Sequence, residues 1–382
     1  MQVKTIYADV CGSAQVSPKV IAMMEVFFSK NSCANPNANH ALGMQLLEKI
    51  ERSRADVALS IGAKNENIIF NSGSSEGCAN IFYHFFEKNK KNNPLILYSP
   101  IEHPCTLENI KKYREEGVST LAIPHKKSGE IDVTVLQQYL EQHQGRPILA
   151  CIMAVHNETG IIQPIKMIAM LLKKYSALLY SDMTQAIGKI SVNLIDLNID
   201  YAVASGHKFG ALPGVGFLYV KDRPSFSSLI PGGGQENSSR GGTQNYLGIF
   251  SLAIALQEKR SLLEMKCLQH DEHRNRFEEK ITNLLSDVHI VGKDNDRIPL
   301  VSFFAFKNTN SKKLQLSLNK QGIYTSTGSA CSDKKTKLSA TVQALGLDVE
   351  LASNTLRISI EDCRADEVYE RIYMSIEQAV TN

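Results

Sequence analysis

The sequence predicts an α/β fold built on a largely parallel sheet, and three observations lead there. From about residue 18 to 260, helical patterns alternate with short β-rich apolar runs, as strands joined by covering helices require. Small and polar residues follow those runs directly, where such a sheet opens its ligand crevice. At 382 residues the chain is long enough for a large core and two unequal domains.

The first long helical pattern runs from Leu42 to Ile61. Leu46, Leu47, Ile50, Val57 and Ile61 fall on one face, and Gly62 ends it. Strand candidates are Ile68 to Phe70, Leu95 to Tyr98, Ile148 to Val155, Leu178 to Tyr180, Tyr201 to Ala204 and Gly216 to Val220. The charge-rich stretch from Glu258 to Glu279 reads as a long helix bridging to a second unit. Beyond it, His289 to Val291, Leu300 to Phe306 and Leu356 to Ile360 read as strands of a smaller α+β unit. The N-terminal MQVKTIYADV opens on a strand pattern and is expected to pack against that unit, being too short to fold alone. A large domain at 16–260 and a small one made of 1–15 and 261–382 follow.

Composition excludes several functions. A net charge of +3 is too small to argue for direct nucleic-acid binding, and the lysine clusters at Lys88 to Lys91 and Lys334 to Lys337 lack interleaved aromatics. No apolar run approaches the roughly 18 residues of a membrane span, and the N-terminus lacks a signal-peptide pattern. The eight cysteines are scattered without a CxxC pair, which argues against a zinc site or a disulfide framework and fits the cytoplasm. One of them, Cys331, stands in the run Ser326 to Ser332 (STGSACS), poor material for a core, and is expected to be a free thiol.

The chemistry gathers at the strand ends. After Phe70 comes Asn71-Ser72-Gly73-Ser74-Ser75-Glu76-Gly77 and then a helical pattern, so small residues and a helix N-terminus can meet a phosphate. After Tyr180 comes Ser181-Asp182-Met183-Thr184-Gln185, whose acid can keep a heteroaromatic nitrogen protonated. After Ala204 comes Ser205-Gly206-His207-Lys208, whose lysine would stand beside Asp182. A lysine for covalent capture, an acid for a pyridinium and small donors for a phosphate are together what pyridoxal 5'-phosphate needs.

With these motifs the chain resembles the cysteine desulfurases, NifS/IscS-like members of the class V aminotransferase family with the type I pyridoxal-phosphate fold. The likeness rests on YAD, NSGSSE, IEHPC, AVHNETG, SDMTQAIGK, SGHKFGALPGVG, GGGQENSSRGGTQN, STGSACS and TLRIS, in that order. It implies a mainly parallel seven-stranded sheet in the large domain, and a small domain carrying a catalytic cysteine loop at about 325–337. By position, Lys208 resembles the lysine that carries the cofactor, Asp182 the partner of its ring nitrogen, and Gln185 the partner of its phenolate oxygen. His103 resembles the histidine that stacks on the ring and moves protons. Ser74, Ser75, Ser205 and His207 match phosphate-binding positions, and Thr243 matches a phosphate contact from the other subunit of a homodimer. Asn157 and Arg357 match the residues holding the substrate carboxylate, a task the planar guanidinium suits.

Cys331 matches the nucleophile, on a loop that resembles the mobile one of the long-loop subgroup. The implied reaction turns L-cysteine into L-alanine and leaves a persulfide for sulfur-acceptor or scaffold proteins serving iron–sulfur clusters, tRNA or cofactor thiolation. A selenocysteine lyase or another class V pyridoxal-phosphate enzyme is the alternative, and a non-catalytic sulfur-assembly subunit a further one. Departures from the family pattern fall at Ser75, at Val10 to Gln15, at Leu212-Pro213, at Lys334-Lys335 and at Glu361-Asp362, the last expected to bring negative charge near Arg357.

Overall fold

The computed structural model describes residues 5–30, 33–327, 339–361 and 365–381. Its strands are β1 (Ile6–Tyr7), β2 (Ile68–Asn71), β3 (Leu95–Tyr98), β4 (Ser119–Ala122), β5 (Ile148–Cys151), β6 (Leu178–Asp182), β7 (Tyr201–Ser205), β8 (Gly216–Val220), β9 (Val288–Ile290), β10 (Val301–Phe306), β11 (Ile323–Tyr324) and β12 (Thr355–Ser359). The helices are α1 (Pro18–Ser29), α2 (Ala41–Ser60), α3 (Ser74–Asn89), α4 (Pro104–Glu115), α5 (Val133–Gln142), α6 (Ile165–Lys174), α7 (Tyr246–Leu284), α8 (Ser311–Lys320), α9 (Ala340–Ala344), α10 (Val349–Ser353) and α11 (Ala365–Thr381).

Seven strands form one sheet in the order β2-β8-β7-β6-β5-β3-β4, parallel throughout except for β8. Strand periodicity sends alternate residues to opposite faces. Leu95, Leu97, Ile148, Ala150 and Leu179 join the core under α2, α6 and the start of α7. Ile96, Leu149, Cys151 and Tyr180 join Phe82, Phe85 and Tyr113 under α3 and α4. Both faces are covered, as the apolar runs require.

Two sequence expectations change. The strand expected through Val155 ends at Cys151, although the chain stays extended: Ile152 N–H donates to Tyr180 O and Ala154 N–H to Asp182 O, both at 3.0 Å. Strand β4 goes unread in the sequence because it is an edge strand with only partial burial and no apolar run.

A three-stranded antiparallel sheet, β12-β10-β9, builds a second core with α8 and α11. Strand β1 pairs in parallel with β11, and Ile6 and Ala8 enter this core. Helix α7 is longer than the charge pattern suggested. Asn245 caps it, with Gly248 N–H donating to Asn245 Oδ1, and it runs unbroken for 39 residues. Ile249, Leu252 and Leu256 near its start lie in the first core, and Phe277 and Ile281 near its end in the second.

The Gly-rich segment before α7 is tied down by one buried carboxylate. Glu236 accepts from Arg54 Nη1 at 2.7 Å and Nη2 at 2.9 Å, and from Phe70 N–H at 2.9 Å. Glu236→Ala leaves Arg54 buried without that partner and strips β2 of an acceptor. We expect a loss of about 3–5 kcal/mol in urea unfolding, with the transition remaining cooperative.

Candidate active site

The carboxyl ends of β2, β3, β5, β6 and β7 converge on one crevice, as a parallel sheet dictates. At β2 the chain turns through Gly73 (φ +142°) into α3. A Cβ built on Gly73 would lie 3.0 Å from Ser205 Oγ, so glycine is needed for both conformation and space. Buried Ser74 then joins three hydroxyls: its Oγ lies 2.6 Å from Thr184 Oγ1 and accepts from Ser205 Oγ at 2.9 Å, while its N–H donates to Ser205 Oγ at 2.8 Å. Hydroxyls and a helix N-terminus make a cradle suited to a phosphate. The nearby Glu76 does not oppose an anion freely, because Arg240 Nε pairs with it at 2.9 Å.

Lys208 lies on the short 3₁₀ turn after β7. Its Nζ donates to Cys11 O at 3.0 Å and to Gly12 O at 2.6 Å. Gln185 Nε2 donates to the same Cys11 carbonyl at 2.9 Å, and buried Lys189 donates to Gln185 Oε1. Burial, then the positive charges of Lys189 and Arg357, push the Lys208 ammonium down to about 8. His207 turns toward the N-terminal segment, its Nδ1 3.1 Å from Ser13 Oγ, and burial followed by Lys208 pushes it down to about 4.

At the end of β6, buried Asp182 holds Thr184 N–H at 2.9 Å and so fixes the turn that carries Gln185. His103 caps α4, its Nδ1 accepting from Cys105 N–H at 3.2 Å. Burial works against a charge on this imidazole, but Cys105 and the Asp182 carboxylate outweigh it and raise its pKa. Beside it, Glu102 is buried. Its Oε1 accepts Met153 N–H at 2.6 Å while Oε2 has no partner, and burial holds the group well above the usual carboxylate range.

Arg357, in the middle of β12, is 5% exposed. Its Nη1 donates to Asn157 O at 2.7 Å, its Nη2 to Asp9 Oδ1 at 2.7 Å, and its buried Nε has no partner among the described residues. Asn157 therefore reaches the guanidinium through its backbone carbonyl. Glu361, expected to bring negative charge near this arginine, pairs with Lys259.

The crevice thus brings together Ser74, Asp182, Gln185, Ser205 and Lys208 with His103, Asn157 and Arg357 around it. Ser75 is exposed, so the inward hydroxyl at this turn belongs to Ser74, and Thr243 is also exposed. Cys331 lies outside the described residues, but the described ends on either side of it are placed. Ser326 forms a backbone bridge with Arg357, and Ser339 Oγ donates to Glu158 Oε2 at 3.2 Å, next to Asn157.

Thr184, Lys189 and the turn from Asp9 to Ser13 escaped the sequence reading. Thr184 and Lys189 lie within SDMTQAIGK and Asp9 ends YAD, while Val10 to Ser13 fall in a departure from the family pattern. Among the described residues no cluster of His, Cys, Asp and Glu could hold a metal ion.

Comparison with known proteins places this geometry. The family model for class-V aminotransferases matches residues 6–367. The chain belongs to that family. Cysteine desulfurase IscS of Rickettsia bellii is 32% identical over 366 residues, spanning 93% of this chain and 86% of the relative. A solved NifS-like protein superposes with a TM-score of 0.91 at 29% identity, covering 99% of this chain and all of the other. SspA in complex with cysteine superposes with a TM-score of 0.80 at 29% identity, over 93% of this chain and 99% of that one. Within its family the chain is a NifS/IscS-like member and a pyridoxal-phosphate-dependent enzyme.

The residues present fit the cofactor. Gly73 leaves the space, the hydroxyls of Ser74, Thr184 and Ser205 supply phosphate donors, Asp182 supplies a buried acid, and Lys208 supplies an amine of lowered basicity. Only a neutral amine captures an aldehyde. Covalent capture of pyridoxal phosphate by cofactor-free protein should therefore accelerate as pH rises through about 8 and level off above it. A capture rate still climbing toward pH 10 in stopped-flow absorbance would show an ordinary lysine.

Proposed function

We propose that this protein is a cysteine desulfurase that takes L-cysteine to L-alanine and retains the sulfur as a persulfide on Cys331. The observation that carries the reading is a buried arginine whose Nε–H has no partner among the described residues, in the same crevice as a lysine of lowered pKa. That pairing suits an α-amino acid, carboxylate to one end and amine to the other. The relatives' names, and the cysteine held by SspA, support cysteine as the amino acid.

Pyridoxal phosphate, when bound, supplies an electron sink for the substrate's α-carbon. The chain's own groups do the rest. Ser74, Thr184 and Ser205 would hold the phosphate with the N-terminus of α3, and Thr243 of a partner subunit would complete this in a homodimer. Asp182 would hold the proton of the ring nitrogen, and Gln185, whose Nε2 donates to Cys11 O here, would serve the phenolate oxygen. Arg357 and Asn157 orient the substrate carboxylate. Lys208, lowered to about 8, takes and returns the α-proton at its Nζ, and His103, whose pKa is raised, holds a second.

The Cys331 thiolate attacks the substrate sulfur. One S–S bond forms as one C–S bond breaks, so L-cysteine and a thiol become L-alanine and a persulfide. Cys105, though close to His103, cannot substitute: its hydrogen bond with Cys78 and its burial keep it a neutral thiol.

The persulfide would serve sulfur-acceptor or scaffold proteins in the cytoplasm. No helix among the described residues is long and apolar enough to cross a membrane. A domain border between 16–260 and the pair 1–15 and 261–382 would fall within α7; the second core, with Ile6, Ala8, Phe277 and Ile358, supports it, while Cys11, Ile298, Leu300 and Val301 join the first core across that border. Alanine and sulfide formed from cysteine plus a dithiol are the products to assay. Cys331→Ala should cut both by about 100-fold or more while leaving the visible absorption of the bound cofactor in place. Undiminished turnover would remove Cys331 from the reaction.

A further inference from the structure

Asp9 meets the site twice. Its backbone carbonyl accepts Gly12 N–H at 2.9 Å and Ser13 N–H at 3.2 Å, closing the turn that aims the Cys11 and Gly12 carbonyls at Lys208. Its carboxylate holds Arg357 Nη2 at 2.7 Å, and the pair is unevenly buried: the Asp9 side chain is 25% exposed and that of Arg357 6%. The space for this carboxylate is made by Gly12, since a Cβ there would come within 2.3 Å of Asp9 Oδ2.

The consequence concerns charge. Asp9 Oδ1 and Asn157 O fix the guanidinium, and the buried Nε–H remains unpartnered. A substrate or product carboxylate that paired with this Nε–H would meet an arginine already neutralised by Asp9 and would lie close to a second carboxylate. A bare buried arginine would grip any carboxylate strongly, L-alanine as firmly as L-cysteine, because the two carry the same group.

We propose that Asp9 is a positioning residue that also moderates the affinity of the carboxylate subsite, so that the product amino acid can leave. This rests on the reading of Arg357 as the carboxylate subsite.

The test is L-alanine binding to the pyridoxal-phosphate-loaded protein, read by calorimetry and by the change in visible absorption, beside KM and kcat for L-cysteine. Asp9→Asn keeps an acceptor for Arg357 and removes the charge. It is expected to bind L-alanine at least about fivefold more tightly, to lower KM for cysteine in parallel and not to raise kcat. Gly12→Ala reaches the same end by another route, its methyl group displacing an intact carboxylate, and the same tightening is expected. A merely structural Asp9 would give weaker binding in both. Unchanged or weaker alanine binding in whichever variants keep the wild-type unfolding temperature overturns the proposal. A wild-type protein that neither binds alanine nor makes it from cysteine overturns the reading beneath it instead.

Discussion

A guanidinium cannot be buried alone, and much of the crevice follows from how Arg357 is neutralised. Its position in the middle of β12 is fixed by antiparallel pairing with Phe303 of β10, so the side chain cannot retreat to solvent. The chain must bring acceptors to it instead. Asp9 comes from the N-terminal segment, Asn157 from the extension of β5, and Ser326 pairs with the backbone of Arg357 itself. Three remote segments are thereby held at one point. The N-terminal residues that meet Arg357 also pack with the second core and reach across to Lys208.

Burial, and after it a crowding of cations, explains the lysine. Lys208, Lys189 and Arg357 share a buried region, and the two neighbours add to burial in depressing the tendency of Lys208 to hold a proton. Lys189 is itself lowered by burial and gives its proton to Gln185 Oε1 as a hydrogen bond. Backbone carbonyls satisfy the Lys208 amine without adding a negative charge. That choice matters: a carboxylate in the place of the Cys11 and Gly12 carbonyls would raise the pKa and keep the amine protonated at neutral pH. Neutral acceptors hold it in place and leave it reactive.

How much of this could be read in the sequence differs by element. The interior strands were plain because burial on both faces demands continuous apolar runs: Leu95–Tyr98 and Gly216–Val220 fall where the runs fall. Ser119–Ala122 was not, since an edge strand needs no such run. Helix α7 was read only where its charges begin, because its first turns are buried and apolar and carry no amphipathic stripe. At the site, Lys208, Asp182 and Ser74 were legible from their place after strands, a rule of parallel sheets. Asp9, Cys11 and Gly12 were not, because their contribution is a turn whose carbonyls face Lys208, and a carbonyl has no letter in the sequence. Ser74 and Ser75 show the same limit, since only the helix start decides which hydroxyl points inward.

The thiols complete the argument about where sulfur can go. Cys151 is buried in β5 and pushed well up, and Cys105 is held neutral between Cys78 and the wall of the crevice. Cys11 is buried with its carbonyl already engaged by Lys208 and Gln185. A sulfur that must be attacked in the crevice and then handed to another protein cannot stay on any of these. Residue 331, by contrast, falls between Ser326, bridged to Arg357, and Ser339, bound to Glu158 beside Asn157. Both anchors stand next to the groups that would hold the substrate carboxylate. The described residues that flank STGSACS in the chain thus end beside Arg357 and Asn157.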